Sequence, residues 1–398
     1  MRKLLILSQL VLVALMISCT TPQEFDTKVS LDYCLEQVTK SIGQTQYADS
    51  FPRNIDPGKK EWNYVGVKDW TSGFYPGVLW YAYEYTGNEE ILKQAKKFTE
   101  PIKYIAFNKA YDHDIGFQVY CSFGNGYRLT GNKAYKEVML AAADTLATLY
   151  NPHVGTIHSW PRKKEYSHNT IIDNMMNLEL LFWASKNGGG QQLYQMAESH
   201  AEVTMKNIVR SDNAVYHVGD FDKETGEFIK GHTHQGYADE SMWARGQTWG
   251  IYGFAIASRE TGRKDFLETS KKLADHFLER MPEDGIPFWD FDDPRIPKAP
   301  KDASAAAIAA CGMLELSNQV EERELAHKYK NAAETLLSTL SSDKYWSRET
   351  NNAILLHSTG NHPRNSEIDV PIIYADYYFM EALLRLKRMD EGEMMAYQ

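Results

Sequence analysis

The triplet Thr86-Gly87-Asn88 returns as Thr130-Gly131-Asn132, and a near copy stands at Thr261-Gly262-Arg263. Each follows a run of helical character, such as Leu79-Trp80-Tyr81-Ala82-Tyr83-Glu84-Tyr85, and a new helix is expected from about Glu89. A glycine just past the last helical turn supplies the left-handed cap conformation. The first two of these glycines are 44 residues apart; the second and third are 131 apart, close to three times that spacing. Weaker breaks sit at Asn187-Gly188-Gly189 and Ser317-Asn318, and a last helix is predicted from Tyr374 to about Arg388. A period of this size marks a repeated supersecondary unit, here roughly six helical hairpins of about 45 to 60 residues.

Open solenoids repeat more regularly and lack long loops between helices. This chain has loops rich in Trp, His, Asp and Gly at Trp62–Phe74, Asn151–Thr170, Ser211–Tyr237, Pro282–Asp302 and Ser342–Asp369. Structureless connections of that length usually build a site. The pattern predicts an all-α fold, an (α/α)6 barrel, in which six hairpins close into a toroid with long loops at one rim. Ala214–Gly219 and Phe228–His232 are candidate short strands. Residues 27–398 are expected to form one domain, with 19–26 as a tether and 1–18 as a signal peptide.

That last expectation rests on the first residues. Arg2 and Lys3 precede an apolar stretch from Leu4 to Ile17 that is too short for a stable membrane span. It ends in Met16-Ile17-Ser18-Cys19, which resembles a bacterial lipobox with Met in place of the usual Leu. The resemblance implies cleavage before Cys19, a lipid on its sulfur, and a protein tethered in the periplasm or at the outer membrane. Removing Arg2 and Lys3 takes the formal charge from −10 to −12. Nucleic acid is therefore excluded as an expected partner. An anionic ligand would need a local cationic pocket against the global sign. Cys34, Cys121 and Cys311 form no Cys-x-x-Cys pair and read as small buried apolar residues.

Four segments concentrate chemistry. In Tyr111-Asp112-His113-Asp114-Ile115-Gly116-Phe117, two carboxylates flank a histidine before an expected helix start; they are either helix caps or working acids. Asp173 opens the run Asp173-Asn174-Met175-Met176-Asn177-Leu178, which is apolar nearly all round and so expected to be buried. It is either a cap or a desolvated carboxyl of raised pKa, as a general acid at neutral pH requires. The stretch from Gly231 to Gly250 holds His232, His234, Gln235, Trp243, Arg245 and Trp249. Arg245 is a candidate carboxylate clamp, and the indoles are candidate stacking faces for a pyranose. His232-x-His234 lacks a third zinc ligand at matching spacing, so no metal is expected. Finally, Trp70 and Phe74 in Asp69-Trp70-Thr71-Ser72-Gly73-Phe74-Tyr75-Pro76-Gly77 are expected at the rim, with Pro76 in the first turn of a helix.

Taken in order, these segments resemble the unsaturated glucuronyl hydrolases of glycoside hydrolase family 88. The resemblance runs from about Trp62 to Arg385 and includes Asp302-Ala303-Ser304-Ala305-Ala306-Ala307-Ile308 and Asp376-Tyr377-Tyr378-Phe379-Met380-Glu381-Ala382-Leu383. It implies an (α/α)6 barrel with no metal and no cofactor. It implies Asp173 as general acid and base, and Asp114 as the second essential aspartate, holding sugar hydroxyls. His217, Gln235, Trp243, Arg245 and Trp249 match family residues around the unsaturated uronate, with His113 and Trp70 beside them. The implied substrate is an oligosaccharide left by a polysaccharide lyase, ending in a uronic acid with a C4=C5 double bond. On that reading the Asp114 charge should help raise the pKa of Asp173. Other readings stand beside it: an unsaturated rhamnogalacturonyl hydrolase of a related family, an epimerase using His232, His234 and His357, or a non-catalytic glycan-binding lipoprotein. Arg364, in the loop His357–Ser366, either receives a sulfate or is merely solvated.

Overall fold

The computed structural model describes residues 25–392. The signal segment, Cys19 and most of the tether lie outside the described residues.

Among the described residues, helices alternate between an outer and an inner ring. The outer ring is Thr27–Gln44, Glu89–Thr99, Lys133–Ala147, Gln191–Asn207, Lys264–Glu279 and Arg323–Leu340. Its members are amphipathic: Glu89–Thr99 buries Ile91, Leu92, Ala95, Phe98 and Thr99, one face at helical spacing. The inner ring is Phe74–Thr86, Ile115–Val119 running through a π-helical turn into Asn125–Thr130, Leu178–Ala184, Ala244–Thr261, Ala303–Gln319 and Ile373–Asp390. These are buried almost all round; Ala303–Gln319 is buried from Ala303 through Leu316. The last inner helix packs against Phe74–Thr86 and against the first outer helix, closing the ring. Tyr33 Oη of that first helix donates to the Ile354 carbonyl at 2.9 Å, and Gln37 Nε2 donates to the Ala353 carbonyl at 2.8 Å.

The triplets make the inner-to-outer turns. Gly87, Gly131 and Gly262 sit at φ of 63°, 64° and 69°, and each donates its N–H back to a carbonyl of the preceding helix. Asn88 and Asn132 then cap the next helix, Asn88 Oδ1 accepting from the amides of Glu90 and Ile91 and Asn132 Oδ1 from that of Ala134. One triplet thus stops a helix and starts its partner. Because helices alternate in direction, the short turns fall at one end, and the long outer-to-inner connections fall together at the other.

The far end is held by ionic contacts between inner helices: Arg259 bridges Glu179 (2.5 Å) and Glu315 (3.1 Å), and Arg385, paired within its own helix with Glu381 (2.8 Å), reaches Glu315 (3.1 Å). On the loop side, His168–Ile171, Val218–Phe221 and Phe228–His232 form a three-stranded antiparallel sheet, with Ile171 opposite Val218 and Val218 opposite His232. The second expected strand is thus in place, while the first begins later, at Val218. The break expected at Ser317-Asn318 falls instead at Val320, since helix Ala303–Gln319 runs through both residues. Phe74, expected at the rim, is fully buried and packs edge-on to Trp70. Cys34, Cys121 and Cys311 are free and buried.

Candidate active site

A cavity of about 620 Å³ opens among the long loops. Asp173, Asp114, His113, Gln235, Arg245 and Trp70 all line it. Asp173 follows the strand His168–Ile171 and stands in the 3-10 turn Ile172–Asn177; the Ile172 amide donates to the His217 carbonyl at 3.0 Å and fixes where that turn begins. Asp114 precedes the helix Ile115–Val119. Three hydrogen bonds tie the two aspartate-bearing segments together. The Phe117 amide donates to Asn177 Oδ1 at 2.9 Å, and Ser159 links the pair, its Oγ accepting from the Ile171 amide and its carbonyl from the His113 amide. Gly116 permits this approach: a Cβ there would lie 2.6 Å from Asn177 Cα.

Asp114 stands at the N-cap position of its helix but makes no capping bond with its side chain, and Asp173 lies inside its 3-10 turn rather than at the cap. Asp112 Oδ1 accepts from the Asp114 amide at 3.2 Å, a turn just ahead of the helix. Asp173 is 14% exposed, and its buried Oδ2 has no hydrogen-bond partner. Burial raises its pKa from 3.8 to about 7; Arg245 and the nearby Trp249 indole oppose that rise, although the indole N–H makes no regular hydrogen bond. The Asp114 charge is not among the causes, contrary to expectation: desolvation does the work. Asp114 itself is pushed well above the ordinary carboxylate range by burial, then by Asp112 and Asp173.

Arg245 is 1% exposed. Its Nη1 donates to Asp302 Oδ2 (2.8 Å) and the Thr359 carbonyl (2.6 Å), its Nη2 to the Gly360 carbonyl (2.6 Å). It is a fixed charge at the cavity wall rather than a swinging clamp. His217 Nδ1 accepts from the amides of His234 and Gln235 at 3.2 and 3.1 Å, so in the neutral ring the proton is on Nε2, 3.6 Å from Asp173 Oδ2. Trp243 lies behind this, its ring centroid 4.4 Å from that of His217.

The stacking role expected of Trp243 and Trp249 is not what the fold gives them. They are 3% and 0% exposed, and Trp249 packs on Phe117 and Tyr378 beneath the site. The indole faces on the cavity wall are Trp70 and Trp160, and the Tyr111 ring lines it as well. Trp160 was missed, with its neighbours Arg162 and Lys163, although the signal existed: an indole followed by basic residues in one of the long loops. Lys163 Nζ lies 3.5 Å from the Trp160 ring centroid. Arg53, Lys68, Arg162, Lys163 and Arg245 supply the cationic wall that an anionic ligand requires of this acidic protein.

The histidine constellation for an epimerase is not assembled. His234 lines the cavity, but His232 pairs with Asp220 (3.1 Å), and His357 pairs with Asp369 (2.7 Å) in a separate groove. Among the described residues, one group of three metal-donor side chains comes together, Asp112, His113 and Asp114, and His232 and His234 are not part of it.

Residues 36–396 match Glycosyl Hydrolase Family 88. An unsaturated glucuronyl hydrolase of Formosa agariphila is 42% identical, covering 86% of this chain and 86% of its own length. An unsaturated chondroitin disaccharide hydrolase of Streptococcus agalactiae is 33% identical over 90% of this chain and 92% of its own. The crystal structure of an unsaturated glucuronyl hydrolase specific for heparin superposes with a TM-score of 0.87 at 40% identity, covering 92% of this chain and 98% of the other. A toroid with the same helical architecture, a cationic cavity around two buried aspartates, and family-wide similarity along almost the whole sequence converge on one assignment: the chain belongs to glycoside hydrolase family 88.

Proposed function

We propose that this chain releases the 4,5-unsaturated uronic acid from the non-reducing end of lyase-generated, glycosaminoglycan-type oligosaccharides. The observation that carries the reading is Asp173: a buried carboxyl on a cationic cavity, with a pKa near 7 and one oxygen unpartnered. Such a group holds a proton at neutral pH and can give it away.

The chemistry follows from the substrate. The C4=C5 bond of the terminal sugar is a vinyl ether conjugated to a carboxylate. Asp173 delivers its proton to C4, and the positive charge that develops at C5 is shared with the ring oxygen. Water adds to C5 and returns a proton to the Asp173 carboxylate. The resulting hemiketal opens and expels the partner sugar. The anomeric carbon is never attacked, so the carboxylate spacing that separates retaining from inverting glycosidases does not apply. Arg245 and the cations around it face the substrate carboxylate, and Asp114 holds sugar hydroxyls. Trp70 and Trp160 offer the apolar faces.

The test is direct. Lyase-generated disaccharides from chondroitin, hyaluronan and heparin should lose the ultraviolet absorbance of their conjugated bond on incubation with the protein. An unchanged signal with every one of them sinks the enzyme reading and leaves a glycan-binding protein. Arg364 is exposed near Lys163, whose basicity is lowered first by burial and then by Arg364 and Arg162, against Glu165. This concentration of positive charge supports a preference for substrates with an acidic substituent on the second sugar, and sulfated and unsulfated disaccharides compared in the same assay decide it.

The protein also carries a lipid on Cys19, by the Met16–Cys19 motif after an apolar stretch. A chain expressed in a bacterium with lipoprotein processing should partition into detergent, and Cys19→Ala should move it to the aqueous phase. Partition that does not depend on Cys19 refutes the anchor.

A further inference from the structure

The His113–Asp114 pair holds an inconsistency that one proton removes. His113 is 1% exposed, and its Nδ1 lies 3.0 Å from the Ser159 carbonyl. A carbonyl oxygen only accepts, so Nδ1 carries the hydrogen. Burial holds the ring neutral, its pKa lowered to about 4. Nε2 is therefore a bare lone pair, buried and without a partner, and it faces Asp114 Oδ1 at 3.3 Å. A carboxylate oxygen has no hydrogen to give it. Left so, two acceptors confront each other in a desolvated site, which is costly for both.

We propose that Asp114 carries a resident proton, donated from Oδ1 to Nε2 of His113, and that His113 is a positioning residue whose tautomer, locked by the Ser159 carbonyl, keeps this carboxyl neutral. The three donor groups of Asp112, His113 and Asp114 are then joined by a proton rather than by a cation. The neighbouring carboxylates point the same way, and Arg162 on the same wall is paired with Asp112 at 3.3 Å. Asp112 on the same segment, Asp69 before the helix that follows Trp70, and Asp173 across the cavity all disfavour a negative charge on Asp114. The ring beside it is neutral, with His158 opposing its protonation.

The two aspartates are thereby set apart by their histidines. Asp173 faces an N–H of His217; Asp114 faces a lone pair of His113. Asp114 keeps its proton throughout, and Asp173 is the group that titrates. A neutral Asp114 directs Oδ2 at the sugar as an acceptor for a hydroxyl, and it spares the incoming uronate one negative charge. This rests on the reading of Asp173 as proton donor only for its catalytic meaning; the protonation itself is tested without turnover.

Infrared spectra of protein with isotope-labelled aspartate carboxyls, taken at pH 8, should contain the carbonyl stretch of a neutral acid. The band should persist in Asp173→Asn, vanish in Asp114→Asn, and move to the frequency of a less strongly bonded acid in His113→Leu. Nitrogen resonances of labelled histidine in the wild type should place the His113 hydrogen on Nδ1 with Nε2 bare, so the proposal stays testable if a variant fails to fold. A spectrum at pH 8 with no band lost on Asp114→Asn, or a His113 hydrogen on Nε2, overturns it. The ultraviolet assay on the same wild-type sample keeps this failure separate from failure of the proposed activity.

Discussion

Asp173→Asn is expected to abolish turnover, lowering kcat by roughly 10² to 10⁴-fold, while the unsaturated disaccharide still binds. The amide keeps the shape of the side chain but has no acidic proton for C4 and no basic oxygen for water. The same substitution should change stability in a pH-dependent way. Burial raises the folded-state pKa from 3.8 to about 7, so ionising Asp173 is harder in the folded chain than in the unfolded one. The wild type has its full stability below the unfolded value and loses up to roughly 4 kcal/mol as pH rises through about 7. Asn does not titrate. Melting temperatures of the two proteins should therefore diverge in favour of the variant between pH 5 and pH 8. By the same logic wild-type kcat should fall as pH rises through about 7, because the acid form is consumed. Retained turnover in the variant, or a stability difference that does not change with pH, refutes the role.

Arg245→Met is expected to be the most destabilising single change at the site, by about 3 to 5 kcal/mol. Its guanidinium is buried against Asp302, which is 0% exposed and also caps the helix Ala303–Gln319 through the Ser304 amide. Removing the arginine strands that carboxylate, takes the donor from the Thr359 carbonyl and leaves that of Gly360 only the long bond from Gln235 Nε2 at 3.4 Å. Arg245→Lys should recover little, because one ammonium cannot span a carboxylate and two carbonyls as a planar fork does. Whatever folded variant is obtained should show a second effect. Arg245 is the leading force holding the Asp173 pKa down against burial, so its loss moves the alkaline fall of kcat to higher pH. Chemical denaturation and a pH–rate profile measure the two effects separately. A profile unmoved in a folded variant shows that Arg245 does not set the acidity of Asp173.

The parts of this molecule legible in the sequence are those set by local rules. Gly87 and Asn88 end one helix and begin another through bonds to residues within four positions, so the triplet reveals the hairpin wherever it occurs. Loop length then reveals which rim carries the site. Asp114 and Asp173 stood out as carboxyls in unusual company, but their spacing could not separate a cap from an acid; that depends on the Asp114 side chain leaving the helix-end amides unbonded and on how deeply Asp173 is covered. Trp243 and Trp249 look like sugar platforms in a dense polar stretch. Their burial is decided by Phe117, Tyr378 and His217, which come from distant parts of the chain. Trp160 faces the cavity for the same reason, and its only signal in the sequence is the pair of basic residues that follows it, Arg162 and Lys163. Phe74 differs from Trp70 by one helical turn, yet lies inside the ring rather than on its rim.

Closing the ring also dictates the order in which the chain can fold. Tyr33 bonds the carbonyl of a residue 321 positions away, and Gln37 one 316 positions away. These contacts cannot form until almost the whole polypeptide exists. Local hairpins, stopped and started by their own triplets, can assemble early and quickly, but the seam between the first helix and the last must wait. Non-local contacts of this kind slow folding and prolong the exposure of apolar surface. The inner helices, apolar nearly all round, remain partly uncovered until then. Loss of even the final helix, Ile373–Asp390, leaves no shorter ring to fall back on: five hairpins make an open arc whose two unpaired ends are sticky surfaces. The toroid is therefore complete only when the seam between its first and last helices has formed.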